Sequence, residues 1–215
     1  MRFNVGTTAV DLADEGDRVC IGAATRKAFE PASLAAWARL CRPGATVLDV
    51  GAYTGLYAIS AARLGCDVVA FEPLPQNAER MIRNAQANGV RGKIRLVEAA
   101  VSDFVGEAEL RFNAGVPFTS GASLVPVKTN YAAIKVPIVT IDMFAIEDVA
   151  AMKIDVERNE PAVLRGAAET LARCRPALII EVLGDAEGAA IKATVPGYRV
   201  AEVLDGRNWL MVPAC

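Results

Sequence analysis

Apolar positions in this chain fall into short unbroken runs that alternate with helical stripes and are punctuated by glycine and proline. Thr46-Val47-Leu48-Asp49-Val50 and Asp67-Val68-Val69-Ala70-Phe71-Glu72 are two such runs. Each is strand length, and near-continuous apolarity suits a parallel strand covered on both faces. Residues 55 to 64 between them read as a helix. Residues 75 to 88 read as another, with Ala78, Met81, Ile82 and Ala85 on one stripe and Gly89 as the stop. The same pattern predicts strands over 94–100, 150–156 and 177–183. A further helix is expected to start near Asn159-Glu160-Pro161, with Asn159 as N-cap and Pro161 in the first turn, where its missing N–H costs nothing. Tyr198 to Val203 and Trp209 to Val212 flank Asp205-Gly206-Arg207-Asn208, which predicts a closing antiparallel hairpin. The fold class that follows is α/β, a doubly wound and mostly parallel seven-stranded sheet with that hairpin at its C-terminal end.

Residues 1–43 read as an N-terminal extension and residues 44–215 as the core of one domain. In the extension, Thr8 to Leu12 and Arg18 to Ile21 alternate around Asp14-Glu15-Gly16-Asp17 and predict a small hairpin. Leu34, Trp37, Ala38 and Cys41 recur at helical spacing between Pro31 and Pro43-Gly44 and predict a covering helix. Glu107 to Phe112 alternates as a half-exposed strand, and Val136 to Ile141 returns as another. The glycine- and serine-bearing segment Asn113 to Tyr131 between them is long enough to expect a functional lid, with Phe118, Ser120, Ser123 and Tyr131 facing a ligand.

Composition narrows the chemistry. Among 215 residues there is no histidine, so imidazole nucleophile systems, imidazole bases and histidine metal ligands are excluded. Acid–base work falls to carboxylates, lysine, tyrosine or water. The five cysteines, Cys20, Cys41, Cys66, Cys174 and Cys215, form no C-x-x-C pair, which fits reduced thiols and a cytoplasmic protein. A formal charge of -2 and a pI near 5.4 argue against a nucleic-acid partner and for a small-molecule acceptor. No run reads as a membrane span.

The chemistry-bearing stretch is Asp49-Val50-Gly51-Ala52-Tyr53-Thr54-Gly55 together with Phe71-Glu72-Pro73. Gly51 and Gly55 are expected to let the backbone approach a ligand. Glu72, at the end of the next strand, is expected to accept hydrogen bonds from a ribose, which points to an adenosine derivative. A third glycine for a pyrophosphate is missing, and the Asp49 carboxylate would repel one. A ligand with positive centres fits better, and S-adenosylmethionine carries a sulfonium and an ammonium.

The ordered set Asp49 to Ala52, Phe71 to Pro73, Ala100 to Asp103, Val139 to Asp142, Lys153 to Glu157, Val163 to Ala167 and Arg175 to Glu181 resembles the FkbM-type methyltransferases of the Rossmann-like class I group. The resemblance implies cofactor contacts from Asp49, Gly51, Ala52, Tyr53, Glu72, Asn77, Ser102, Asp103 and Asp155, with Ser102 and Asp103 toward the adenine amino group. It also implies an enzyme that methylates a hydroxyl of a sugar or secondary metabolite. Two positions depart from the pattern: Tyr53 stands where asparagine is usual, and Arg158 where glycine is usual. Those departures keep open a cofactor-binding module without catalysis; a nicotinamide-dependent oxidoreductase is a further alternative. The strand-end acids Asp155, Glu157 and Glu181 are the candidate catalytic groups, expected either to take a hydroxyl proton or to hold a hard divalent cation such as magnesium.

Overall fold

In the computed structural model, residues 1–26, 28–116, 118–125 and 132–214 are described. The chain opens with a hairpin of β1 (Arg2–Val5) and β2 (Thr8–Asp11), followed by α1 (Arg18–Arg26) and α2 (Pro31–Leu40). The core then alternates β3 (Thr46–Val50), α3 (Leu56–Arg63), β4 (Asp67–Phe71), α4 (Pro75–Ala87) and β5 (Ile94–Val97). β6 (Ala100–Val101), β7 (Gly106–Phe112) and β8 (Ala132–Val139) come next, then β9 (Val149–Ile154), α5 (Glu160–Arg165) and α6 (Ala168–Cys174). β10 (Ala177–Glu181), α7 (Asp185–Thr194), β11 (Tyr198–Leu204) and β12 (Asn208–Pro213) complete the chain.

The main sheet has seven strands in the order β11-β12-β10-β9-β3-β4-β5. β3 pairs in parallel with both β4 and β9, so the strand order reverses beside β3. β12 inserts antiparallel between β10 and β11, as the turn chemistry at Asp205-Gly206 predicts. Strand alternation sorts the core into two layers. Val47, Val68, Ala70, Ala151 and Ile179 face Trp37 of α2 and Ile59 of α3. Leu48, Val69, Met152, Leu178 and Ile180 face Val163 of α5, Leu171 of α6 and Ile191 of α7. Both faces are therefore covered, which is why these strands read as continuous apolar runs.

Three expectations change. Residues 18–26 form a helix rather than the second strand of a hairpin, because Asp17 Oδ1 accepts from the N–H groups of Val19 and Cys20 and caps it at 2.9 and 3.0 Å. The run 94–100 is two strands: β6 leaves the main sheet and joins β8 and β7 in a separate three-stranded sheet. Asn159 occupies the N-cap position of α5 without capping it; its amide donates to the Val101 carbonyl at 3.0 Å and ties α5 to β6. No helix among the described residues is long and apolar enough to cross a membrane.

Candidate active site

The carboxyl ends of β3, β4, β9 and β10 open on one side of the main sheet, where an open α/β sheet receives its ligand. The turn after β3 is held down by the Phe71 carbonyl, which accepts from the N–H groups of Gly51 and Ala52 at 3.0 and 2.9 Å. Asp49 is buried inside β3, and its Oδ2 accepts from Ala58 N–H at 2.8 Å, bridging strand and helix. Burial pushes its carboxyl up to about 7, against the pull of Lys153.

Glu72 is also buried. Its Oε2 accepts from Tyr53 N–H at 2.8 Å; its Oε1 accepts from Leu74 N–H at 2.9 Å and from the Asn77 amide at 3.3 Å. Burial raises its carboxyl to about 7 despite these donors. The Asn77 amide also donates to the Thr119 carbonyl at 3.0 Å, while its Oδ1 is buried with no partner. That oxygen is left with unused acceptor capacity beside the strand-end carboxyl.

Gly51 and Gly55 are also required by the protein's own packing. Gly51 lies at φ 84°, and a Cβ there would meet the Asp155 carbonyl oxygen at 1.9 Å. Gly55 lies at φ 98°, with Met81 Cγ at 2.8 Å from the same position. These close approaches are to the protein's own β9 end and α4. Tyr53 sits at φ 51° in the left-handed region, where asparagine is tolerated far better than tyrosine. Its hydroxyl accepts from Arg18 N–H at 2.9 Å, pinning the start of α1 over the site. Glu157 and Arg158 are left-handed as well, at φ 55° and 80°, so the second departure also falls where glycine is the relaxed choice.

Two cavities meet at this turn. The larger, about 390 Å³, has Asp49, Ala52, Lys153, Glu157, Glu181 and Arg207 among its lining. The smaller, about 50 Å³, lies against Glu72, Asn77, Val101 and Leu110, under the segment Thr119 to Leu124. Gly51, Tyr53, Ser120 and Asp155 line both and form the border. The segment at 118–125 is tied down: Arg80 stacks on Phe118 at 4.3 Å, and Ser123 Oγ donates to the Glu157 carbonyl at 2.6 Å. Of the four residues expected to face the ligand from this segment, Ser120 lines both cavities and Ser123 is used structurally. Phe118 packs in the core, and Tyr131 lies outside the described residues.

The strand-end acids converge as expected, with additions that local sequence did not reveal. Glu30, Asp155 and Glu181 bring carboxylate oxygens within 4.8 Å of one another. Lys153, fully buried, donates to Asp155 Oδ2 at 2.9 Å, and Arg207 reaches Glu181 Oε1 at 3.1 Å and Glu30 Oε1 at 3.2 Å. The Tyr57 hydroxyl donates to Glu30 Oε2 at 2.7 Å. These pairs neutralise the cluster internally, and the divalent cation expected there gains no support. Burial opposes ionisation of Asp155, yet Lys153 holds its carboxyl below the usual range; burial and Asp155 together push Glu181 up to about 8. The two shifts run in opposite directions, favouring the ionised form of Asp155 and the protonated form of Glu181. Glu157 lines the cavity outside this cluster, raised by burial to about 7.

Ser102 and Asp103 are not brought to either cavity. Ser102 is buried, with its N–H donating to the Val139 carbonyl at 3.0 Å. Asp103 pairs with Arg165 at 2.8 Å. Ala99, Ala100 and Val101, just before them, line the smaller cavity instead. Lys153, Glu30, Tyr57 and Arg207 were the missed members; a lysine inside an otherwise apolar strand was the only local sign of any of them.

A sheet whose order reverses beside β3, with an antiparallel strand inserted near one edge and a buried acid closing β4, is the Rossmann-like methyltransferase fold. The chain belongs to the FkbM methyltransferase family: the methyltransferase FkbM domain matches residues 49–204. The ribosomal protein L11 methyltransferase of Pelotomaculum thermopropionicum is 44% identical over 71 residues, 32% of this chain and 23% of that protein's length. Methyltransferase FkbM from Methylobacillus flagellatus KT superposes with a TM-score of 0.54 at 15% identity, over 80% of this chain and 44% of that one. SMU.1697c from Streptococcus mutans, solved in complex with SAH, gives a TM-score of 0.52 at 13% identity, over 81% and 90% of the two chains. An rRNA methylase from Streptococcus thermophilus gives 0.52 at 13% identity, over 83% and 92%. Identities this low establish a shared fold. With an rRNA methylase on the same fold, the expected exclusion of nucleic acid finds no support here.

Proposed function

We propose that this chain is an S-adenosylmethionine-dependent methyltransferase acting on a hydroxyl of a small molecule, a sugar or secondary metabolite. The observation that carries the reading is the meeting of the two cavities at Gly51, Tyr53 and Asp155. The cofactor's nucleoside would lie toward Glu72 and the orphaned Asn77 Oδ1, its cationic tail toward Asp49, and the acceptor in the larger cavity. A volume of about 50 Å³ is well below the ~300 Å³ at which ligand pockets begin, so nucleoside entry requires the segment Thr119 to Leu124 to lift. When bound, the cofactor supplies an electrophilic methyl group. The protein's part is to hold the acceptor oxygen about 3 Å from it and in line, which is worth roughly 7 to 11 kcal/mol. Asp155, ionised and at the border, accepts the hydroxyl proton as the oxygen lone pair attacks; Lys153 and Arg207 keep the neighbouring acids in place. A cavity of about 390 Å³ and a formal charge of -2 favour a small acceptor over a phosphate backbone.

Glu72→Ala tests the reading. Charge-assisted hydrogen bonds are worth about 1.5 to 3 kcal/mol, so SAH should bind roughly tenfold to a hundredfold more weakly by calorimetry. Unchanged affinity in a folded variant would remove Glu72 from the site. The pH dependence offers a second check. Asp49 and Glu72 sit near 7 in the free protein, and a cationic ligand favours the ionised acids. S-adenosylmethionine affinity should accordingly fall as pH drops below 7, by up to about tenfold per unit for each proton displaced. A flat profile between about pH 5.5 and 8 would contradict the assignment.

A further inference from the structure

We propose that the larger cavity takes its acceptor as an organic anion, a hydroxylated carboxylate or phosphate ester. Arg18 and Arg26 of α1 would hold the anionic group while the reacting hydroxyl turns to Asp155. The inference rests on the methyltransferase reading and names the substrate class for it.

Most charges on the cavity floor close among themselves, Lys153 on Asp155 and Arg207 on both Glu30 and Glu181, while Asp49 accepts from the Ala58 N–H instead. The charges at the mouth do not. Arg18, Gly22, Thr25 and Arg26 are spaced four, three and one apart, which puts them on one face of α1, and all four line the cavity. Among the described residues, neither arginine side chain has a carboxylate within ion-pair reach or a hydrogen-bond partner. A Cβ at Gly22 would meet the Phe29 ring at 3.4 Å, so the helix packs against that ring between the two arginines. Asp49 and Glu157 are the lining acids outside those pairs, and burial raises each to about 7, so at neutral pH they only partly offset two permanent cations. Two guanidinium forks on one rim match the planar, bidentate geometry of a carboxylate or phosphate. Ile21, on the same helix, lines the cavity yet is 44% exposed, leaving an apolar wall for the body of the acceptor.

The arginines could instead grip the cofactor's own carboxylate, and the test separates the two. SAH-loaded protein is titrated with glucose, glucuronate and glucose 6-phosphate, and with catechol and caffeate, by calorimetry at about 50 and 300 mM salt. Methyl transfer to the same probes is followed by SAH release. At least one anionic probe should bind about tenfold or more tightly than its neutral counterpart, and weaken at the higher salt. Arg18→Gln with Arg26→Gln should erase that margin while SAH affinity stays within about twofold, since the Arg18 backbone N–H to Tyr53 is retained. Equal binding of neutral and anionic probes, a margin that survives the double substitution, or a loss of SAH affinity in step with it would each overturn the proposal. Failure of SAH to bind wild-type protein would instead defeat the methyltransferase reading; the probe comparison on unloaded protein still decides this one.

Discussion

Replacing Asp155 with asparagine should lower the methyl-transfer rate by at least ~100-fold while leaving SAH affinity nearly intact. The change is isosteric, and the amide oxygen can still accept the Lys153 hydrogen bond now made at 2.9 Å, so the backbone at the β9 end is preserved. What disappears is the one carboxylate at the border of both cavities that is held ionised at neutral pH. Single-turnover rates at saturating cofactor separate this from a binding defect. A folded variant that transfers methyl groups within about threefold of wild type would take Asp155 out of the chemistry. The pH profile adds a second readout: if Asp155 is the base, the acid limb it imposes lies below the usual carboxylate range, where Lys153 holds its carboxyl, and only that limb should be missing from the variant.

Gly51→Ala should have its largest effect on stability. The added Cβ would fall 1.9 Å from the Asp155 carbonyl oxygen and 2.9 Å from its carbon, at a residue whose φ is 84°. Backbone strain of this kind costs about 1 to 3 kcal/mol, and forced overpacking typically another 1 to 3. A loss of about 3 kcal/mol or more in urea unfolding is therefore expected, and any folded fraction should have lost the β3–β9 approach that sets the site. Stability within about 1 kcal/mol of wild type would mean that the two strand ends are not in contact there. Gly55→Ala, facing the flexible Met81 side chain at 2.8 Å, should cost less of the overpacking share.

Much of this was legible in the residues because its causes are local. Strands buried on both faces are written as apolar runs, so β3, β4 and β10 fall where Val47, Val68 and Leu178 predict them. Asp205-Gly206 has only one comfortable geometry, a tight turn, and Asp205 and Gly206 indeed lie at φ 50° and 80° between β11 and β12. The resemblance that singled out Asp49, Gly51 and Glu72 works for the same reason, since a turn and a strand end occupy few residues. Helix α1 was misread because four alternating residues cannot separate the two periodicities, and the deciding signal, Asp17 as a cap, lay just outside them.

What only the tertiary structure decided is which distant groups share space. Glu30, Tyr57, Lys153, Glu181 and Arg207 come from five separate places in the chain, and nothing in their local sequence marks them as partners. Their meeting depends on the strand order and register of β9, β10 and β12, set by the summed packing of two core layers rather than by any one segment. The packing role of Gly51 has the same cause: sequence requires a glycine at that turn, but only the parallel pairing of β3 with β9 determines that the neighbour is Asp155. Local sequence thus set the elements and the glycine turn after β3, while the long-range pairing of those elements set the charge balance of the cavity, because electrostatics depends on distances that no short window of residues contains.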